Sequence, residues 1–305
     1  MSAATQSAEV QTPPGNSELG EDLEILVREL EIPLTATTLI SQLPPIHTHR
    51  ASFRLEFSGG RLLKGLRCAL PHDSARIDTL LRLMPTPYFP GPVARRGAAL
   101  LLDWMPGGAL GEDDCTSALL WASGRLQAAI HGLDIPERAA VSLVRRSPAW
   151  ETWLDEHLRQ LVSAQALTAE EGVSLLRLAQ RDLPASTHLA ICHGDFCAEN
   201  IVRDADDRFY VVDNETLAVD ACEYDLARTW YRWPMTKSQR AAYMEGYGES
   251  SEMTNFDAHL LHFGVVVLAE SAAYRMRVDA HSARVPLQRL HTLLARPASV
   301  AAHSR

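Results

Sequence analysis

The sequence predicts an α+β chain in two lobes, a small antiparallel-sheet first lobe and a mainly helical second lobe. Three observations lead there. Residues 53–66 alternate apolar and polar side chains around Ser58-Gly59-Gly60, as a β-hairpin does. From residue 116 onward, apolar residues recur mostly at helical spacing. Between the two regions, Asp103-Trp104-Met105-Pro106-Gly107-Gly108 breaks regular structure and marks a boundary. The expected organisation is a flexible tail at 1–20, a first lobe at 21–103, and a second lobe at 104–305 carrying an active hairpin at 192–215. A chain of 305 residues has ample material for both cores.

The elements follow in order. Residues 1–20 are polar, contain Pro and Gly, and lack an apolar run, so they read as a tail and not a signal peptide. A helix is expected over 21–30, with Leu23, Leu26 and Leu30 on one face. After a mixed segment, Phe53 to Phe57 and Arg61 to Leu66 form the hairpin. Residues 73–84 read as a helix with Ile77, Leu80, Leu81 and Met84 inward; 85–92 is a Pro-rich loop; 98–102 is a buried strand. Helical spacing then covers 116–133, 149–164, 169–179, 238–247, 257–277 and 286–294, and 297–305 reads as a frayed end. The apolar stretch 263–269 is far too short to span a bilayer.

Composition narrows the function classes. Apolar residues make up 46% and charged residues 22%, ordinary values for a globular protein. A net charge of −9 disfavours nucleic acid as a partner and supplies no basic stripe for a membrane; it is compatible with a cationic substrate. Cys68, Cys115, Cys192, Cys197 and Cys222 are odd in number and scattered, which argues for reduced thiols in a cytoplasmic protein. His47, His49, Cys68 and His72 have no recognised zinc spacing.

The chemistry concentrates in His193-Gly194-Asp195-Phe196-Cys197-Ala198-Glu199-Asn200, followed by Asp213. Ile201-Val202 and residues 209–212 are β-prone, and Asp204-Ala205-Asp206-Asp207 between them is turn chemistry. A hairpin brings its ends together, so Asn200 entering it and Asp213 leaving it can face one cation. One amide and one carboxylate are the hard oxygen donors that Mg²⁺ takes alongside phosphate oxygens. A turn-rich hairpin with surface acids is the plainer alternative. Protein kinases use this arrangement, an Asp, an Asn five residues on and a later Asp, to place a base and Mg²⁺ around a nucleotide phosphate.

CHGDFCAENIV, then FYVVDNE, then EYDLA resembles the aminoglycoside phosphotransferase and choline kinase family, which has a protein-kinase-like fold. The likeness runs over roughly residues 50–250 and is specific around 192–227; the helix segment ending Ala129-Ile130-His131 is similar as well. It implies that Asp195 is the catalytic Asp in the segment led by His193, that Asn200 and Asp213 hold Mg²⁺, and that Asp225 braces the catalytic loop. Glu215 resembles the second acid of several branches, whereas Asn214 replaces the usual aromatic.

The resemblance also implies a nucleotide side. Lys64, on the return strand of the hairpin, is the candidate for the α- and β-phosphates of ATP or GTP. Related kinases pair this lysine with a helix Glu. Residues 73–84 contain none, and Arg76 falls near the expected position. Asp78 is the chosen partner, with Asp73 as the fallback. The loop before Phe53 has no glycine; Ser52 and backbone amides are phosphate candidates, with a simple strand connection as the alternative. Asp103 and Met105 form the expected adenine hinge. On the acceptor side, Glu245, Asp257, Glu270 and Asp279 are acids able to meet an ammonium group, and Trp230, Tyr231 and Trp233 are rings able to stack on a sugar or cap a quaternary amine. Solvated helix faces and a core helix ending at Pro234 explain the same residues.

The expected activity is therefore phosphoryl transfer from a nucleoside triphosphate to a hydroxyl of a small molecule. A nucleotide-binding pseudokinase remains open, supported by the missing Glu and the glycine-free loop. An unrelated metal-dependent hydrolase is a third alternative.

Overall fold

In the computed structural model, the described residues are 19–42, 50–84, 86–111, 114–135, 150–249 and 256–295. The expected tail up to residue 18, residues 43–49 with His47 and His49 from the glycine-free segment before Phe53, and the end at 297–305 lie outside them. The chain divides into two compact units. One takes the residues up to Gly107 together with Asp204–Glu215, and the other takes Gly108–Arg203 and Thr216–Arg305. The boundary expected from the sequence is 103/104, with the whole hairpin in the second lobe. In the structure, Asp204–Glu215 groups with the first unit instead.

The first unit is a five-stranded antiparallel sheet in the order β1-β2-β3-β5-β4. Its strands are β1 (Leu34–Gln42), β2 (Ala51–Phe57), β3 (Leu62–Arg67), β4 (Pro92–Arg96) and β5 (Ala99–Asp103), with helices α1 (Glu21–Glu29) and α2 (Pro71–Leu83). The turn of the predicted hairpin holds Gly59 and Gly60 at φ 80° and 78°, a left-handed conformation that glycine adopts at little cost. Alternation along β2 buries Phe53, Leu55 and Phe57, which meet Leu23, Leu26 and Val27 from α1 in one core cluster. Each such side chain contributes about 1.5–3 kcal/mol through burial. The α2 residues Ile77, Leu80 and Leu81 are also buried. Within the returning segment, β9 (Phe209–Val211) is anchored by the Val211 amide, which donates to the Tyr88 carbonyl at 2.7 Å.

The second unit is mainly helical. It contains α3 (Ser117–His131), α4 (Trp150–Ser163), α5 (Ala169–Arg181), α6 (Cys222–Arg232), α7 (Lys237–Gly248), α8 (Leu260–Val278) and α9 (Arg284–Leu294). Thr168 and Thr236 start α5 and α7 with capping boxes. Helices α3 and α7 approach closely because Gly124 and Gly246 face each other's helix. A Cβ on Gly124 would collide with the Tyr243 carbonyl, and one on Gly246 with the Trp121 carbonyl. Helix α8 runs through the core with Val265, Val266, Ala269 and Ala272 buried. Among the described residues no helix is long and apolar enough to cross a membrane. Short strands β7 (Leu189–Cys192) and β10 (Ala218–Ala221) pair antiparallel, and β6 (Gly108–Ala109) pairs with β8 (Ile201–Arg203).

Candidate active site

In the second unit, β7 delivers the chain into His193-Gly194-Asp195. Gly194 has φ 77°, and a Cβ there would press on Thr216 at 3.1 Å, so this turn requires glycine. The Thr216 hydroxyl donates to the His193 carbonyl at 2.6 Å. Asp225, in the first turn of α6, is fully buried. Its carboxylate accepts the His193 amide at 3.2 Å and the Gly194 amide at 2.7 Å. It also meets Gln127 Nε2 at 3.2 Å and His131 Nε2 at 3.0 Å, both on α3. Tyr247 from α7 meets His131 Nδ1 at 2.6 Å. Burial alone would raise the Asp225 pKa. The His131 hydrogen bond, the charges of His131 and His193 and the Gly194 amide outweigh it and hold the carboxyl below its usual value.

Asp195 and Asn200 come together in this unit. Asn200 Nδ2 donates to the Asp195 carbonyl at 2.8 Å, with a longer contact to its carboxylate at 3.5 Å. With its nitrogen committed, Asn200 presents Oδ1 as a hard acceptor, which fits an Mg²⁺ ligand. The Asp195 carboxylate lies 2.8 Å from Arg232 Nε and 3.4 Å from Arg228 Nη2, one turn apart on α6. Arg232 also reaches Glu199 at 3.4 Å. Burial works against the charge of Arg232, but Asp195, Cys197 and Glu199 raise its pKa overall. The thiol of Cys197 is pushed up to about 11, first by burial and then by Asp195, so it is an inert packing group.

In the first unit, Lys64 Nζ on β3 pairs with Asp213 Oδ1 at 3.4 Å. Asp213 follows β9 at φ 63°, a left-handed conformation uncommon outside glycine and tolerated by Asp. A carboxylate aimed from such a strained position fits a metal ligand. Glu215 forms an ion pair with Arg50, and its carbonyl accepts from Arg76 at 3.0 Å. Arg76 also lies 3.4 Å from Asp73. The two proposed metal ligands, Asn200 and Asp213, thus belong to different units.

Several expected residues are engaged otherwise. The lysine partner here is Asp213 rather than Asp78, whose carboxylate meets Arg82 at 2.8 Å and Arg95 at 3.9 Å. The fallback Asp73 meets Arg76. Ser52 is buried within β2, where its hydroxyl bonds that of the cross-strand neighbour Ser41 at 2.8 Å. The Asp103 amide donates to the Gly91 carbonyl at 2.9 Å at the end of β5, and Met105 is half-buried just beyond. Of the acceptor-side acids, Glu270 accepts the Tyr224 hydroxyl and lies 3.9 Å from Arg228. Asp279 caps the turn at His281 and Ser282, Glu245 is exposed, and the Asp257 side chain lies outside the described residues.

Sequence reasoning did not single out Arg50, Arg228 or Arg232. For the last two a signal existed: Asp225, Arg228 and Arg232 fall at i, i+3 and i+7, one face of a helix.

A family profile described as the phosphotransferase enzyme family matches residues 35–259. The chain belongs to the phosphotransferase enzyme family. Solved structures agree on a kinase-like fold for this family member. A choline kinase from Streptococcus pneumoniae superposes with TM-score 0.66 at 11% identity, covering 90% of this chain and 99% of that one. A Plasmodium vivax ethanolamine kinase gives 0.64 at 11%, covering 87% and 83%. An aminoglycoside-3'-phosphotransferase of type VIII gives 0.58 at 20%, covering 80% and 97%. No match is found among the curated proteins.

Proposed function

We propose that this phosphotransferase moves the γ-phosphoryl group of ATP or GTP to a hydroxyl of a small molecule. The observation that carries the reading is the Asn200 amide tied to the Asp195 carbonyl, in a loop whose preceding amides are held by Asp225. Asp195 orients the acceptor hydroxyl and receives its proton late in the transfer. Lys64, which here pairs with Asp213, steadies the α- and β-phosphates. Asn200 Oδ1 and Asp213 would hold Mg²⁺, which draws charge from the β- and γ-phosphates when bound. Asp225 positions the loop without touching substrate, and Glu215, paired with Arg50, supports the segment after Asp213. Catalysis on this scheme is mostly positioning and electrostatics.

The test is phosphorylated product formed from Mg-ATP or Mg-GTP across a panel of hydroxyl acceptors. Asp195→Ala should bind nucleotide normally and turn over at least about a hundredfold slower. Near-wild-type turnover in that variant removes Asp195 from the mechanism. Nucleotide binding without any product would favour the pseudokinase alternative.

A further inference from the structure

The helices around α6 carry an unusual charge distribution for a chain of net charge −9. Tyr231 lies on α6 between Arg228 and Arg232. Its ring is flanked by two guanidinium groups, Arg275 of α8 at 5.9 Å and Arg289 of α9 at 5.3 Å, and Arg289 also donates to the Tyr231 carbonyl at 3.3 Å. The neighbouring Trp230 ring carries Arg240 of α7 at 5.0 Å. Burial first, and the charge of Arg289 second, lower the Arg240 pKa, so these cations lie within each other's field. Among the described residues, no carboxylate pairs with Arg240, Arg275 or Arg289.

Two consequences follow. The rings that a quaternary amine or aminoglycoside ammonium would use already hold arginines, and the acid best placed for such a group, Glu270, is engaged by Tyr224 and Arg228. A cationic acceptor would meet repulsion there. Conversely, half-buried guanidinium groups without carboxylates suit an oxyanion, whose planar or tetrahedral oxygens match their donors. Tyr231, which carries this cationic patch, immediately precedes Arg232, the arginine 2.8 Å from Asp195, with the two side chains about 100° apart around the helix.

We propose that the acceptor is an anionic alcohol, a hydroxyl compound bearing a carboxylate or phosphate group, with Arg275 and Arg289 gripping the anion. This rests on the phosphotransferase reading above and names its substrate class. The acceptor oxygen bonds to the γ-phosphorus, and the bond from that phosphorus to the bridging β-oxygen breaks. The nucleoside diphosphate leaves with that electron pair, and the hydroxyl proton passes to Asp195. Arg228 and Arg232 hold the Asp195 carboxylate toward the hydroxyl, while the anion fixes the far end of the molecule.

The experiment uses the full chain with Mg-ATP or Mg-GTP. The probes are D-gluconate and D-glucose 6-phosphate as the two anion types, D-glucose as the neutral match, and choline and kanamycin as cations. Calorimetry reads binding and mass spectrometry reads phosphorylated product. The expected result is binding and turnover with an anionic probe. Arg275→Gln and Arg289→Gln should each raise its KM about tenfold and leave the nucleotide KM unchanged, the loss expected for one charged hydrogen bond. Arg289→Lys should recover part of that loss. Preference for choline, kanamycin or glucose overturns the proposal, as does failure of both anions to bind. A KM shift confined to the nucleotide also overturns it and assigns the arginines to nucleotide phosphate. Anion binding that both variants lose, with no nucleotide consumed by any probe, would leave the anion site standing and reject the phosphotransferase reading.

Discussion

The loop at 193–200 and the charged cluster around Lys64 are held by different physics. The loop hangs on hydrogen bonds to one buried carboxylate, that of Asp225 on α6, which also meets Gln127 and His131 on α3. The Lys64 cluster is held by ion pairs, Lys64 with Asp213, Arg50 with Glu215 and Arg76 with Asp73, and its members are partly open to solvent. Buried, fully satisfied networks set a single geometry. Part-exposed ion pairs are individually weak and exchange partners readily. The contrast suits the mechanism proposed above, in which a base is placed before the substrate arrives while the residues facing metal and phosphate trade one partner for another.

The largest effect should come from breaking the buried side of this contrast. Asp225→Ala strands the His193 and Gly194 amides and leaves His131 without its acceptor, a loss of about 3–5 kcal/mol of stability by denaturant unfolding. Hydrogen exchange at the Gly194 amide should accelerate most. The acid dependence supplies a second reading. Because the folded pKa of Asp225 lies below its unfolded value of about 3.9, its stabilisation is complete above that value and lost as pH falls through the folded pKa. The melting curves of wild type and Asp225→Asn should therefore converge only at acid pH. A constant gap between them down to pH 2 would mean that the carboxylate charge does not hold the loop.

This network also marks where the sequence stopped being legible. The hairpin of β2 and β3 and most helices were visible because one apolar face repeats at the right period. The strands β1 and β4 were not. β1 is an edge strand whose residues are half-buried or exposed, and β4 opens on a proline in a Pro-rich stretch. The strands β7 and β10 are only four residues long, too short for a pattern. Asp195, Asn200, Asp213 and Asp225 stood out through the motif and its spacing. The partners of Asp225 did not, since Gln127 and His131 lie 98 and 94 residues earlier in the chain. The same distance hides the partner of Lys64, since the carboxylate it meets lies 149 residues away and not in the nearest helix.

A smaller effect is expected from the exchangeable side. In a double-mutant cycle of Lys64→Met and Asp213→Asn, the coupling in stability should stay below about 1 kcal/mol, as for other part-exposed pairs. Each single variant should nevertheless weaken Mg-nucleotide binding, and Asp213→Asn should lose more with Mg²⁺ than without it. Coupling above about 2 kcal/mol would reclassify the pair as structural and erase the contrast with the Asp225 network.

The smallest effect should come from Asp78. Its carboxylate pairs with Arg82 one turn along α2 and with Arg95 on β4, at side-chain exposures of 50% and 36% for the two arginines. Such pairs contribute about 0.3–0.5 kcal/mol, because solvent screens them and long side chains must be ordered to form them. Asp78→Asn should thus shift unfolding by about 0.5 kcal/mol or less and leave the nucleotide KM where it was. The comparison sharpens if Asp73→Asn behaves alike, since Asp73 is likewise engaged by Arg76. A tenfold rise in nucleotide KM for Asp78→Asn, with unchanged stability, would instead mean that Lys64 leaves Asp213 for Asp78 once nucleotide binds. The Lys64–Asp213 pair would then be a resting arrangement that phosphate and metal together displace, and α2 would carry the acid that steadies the lysine during turnover.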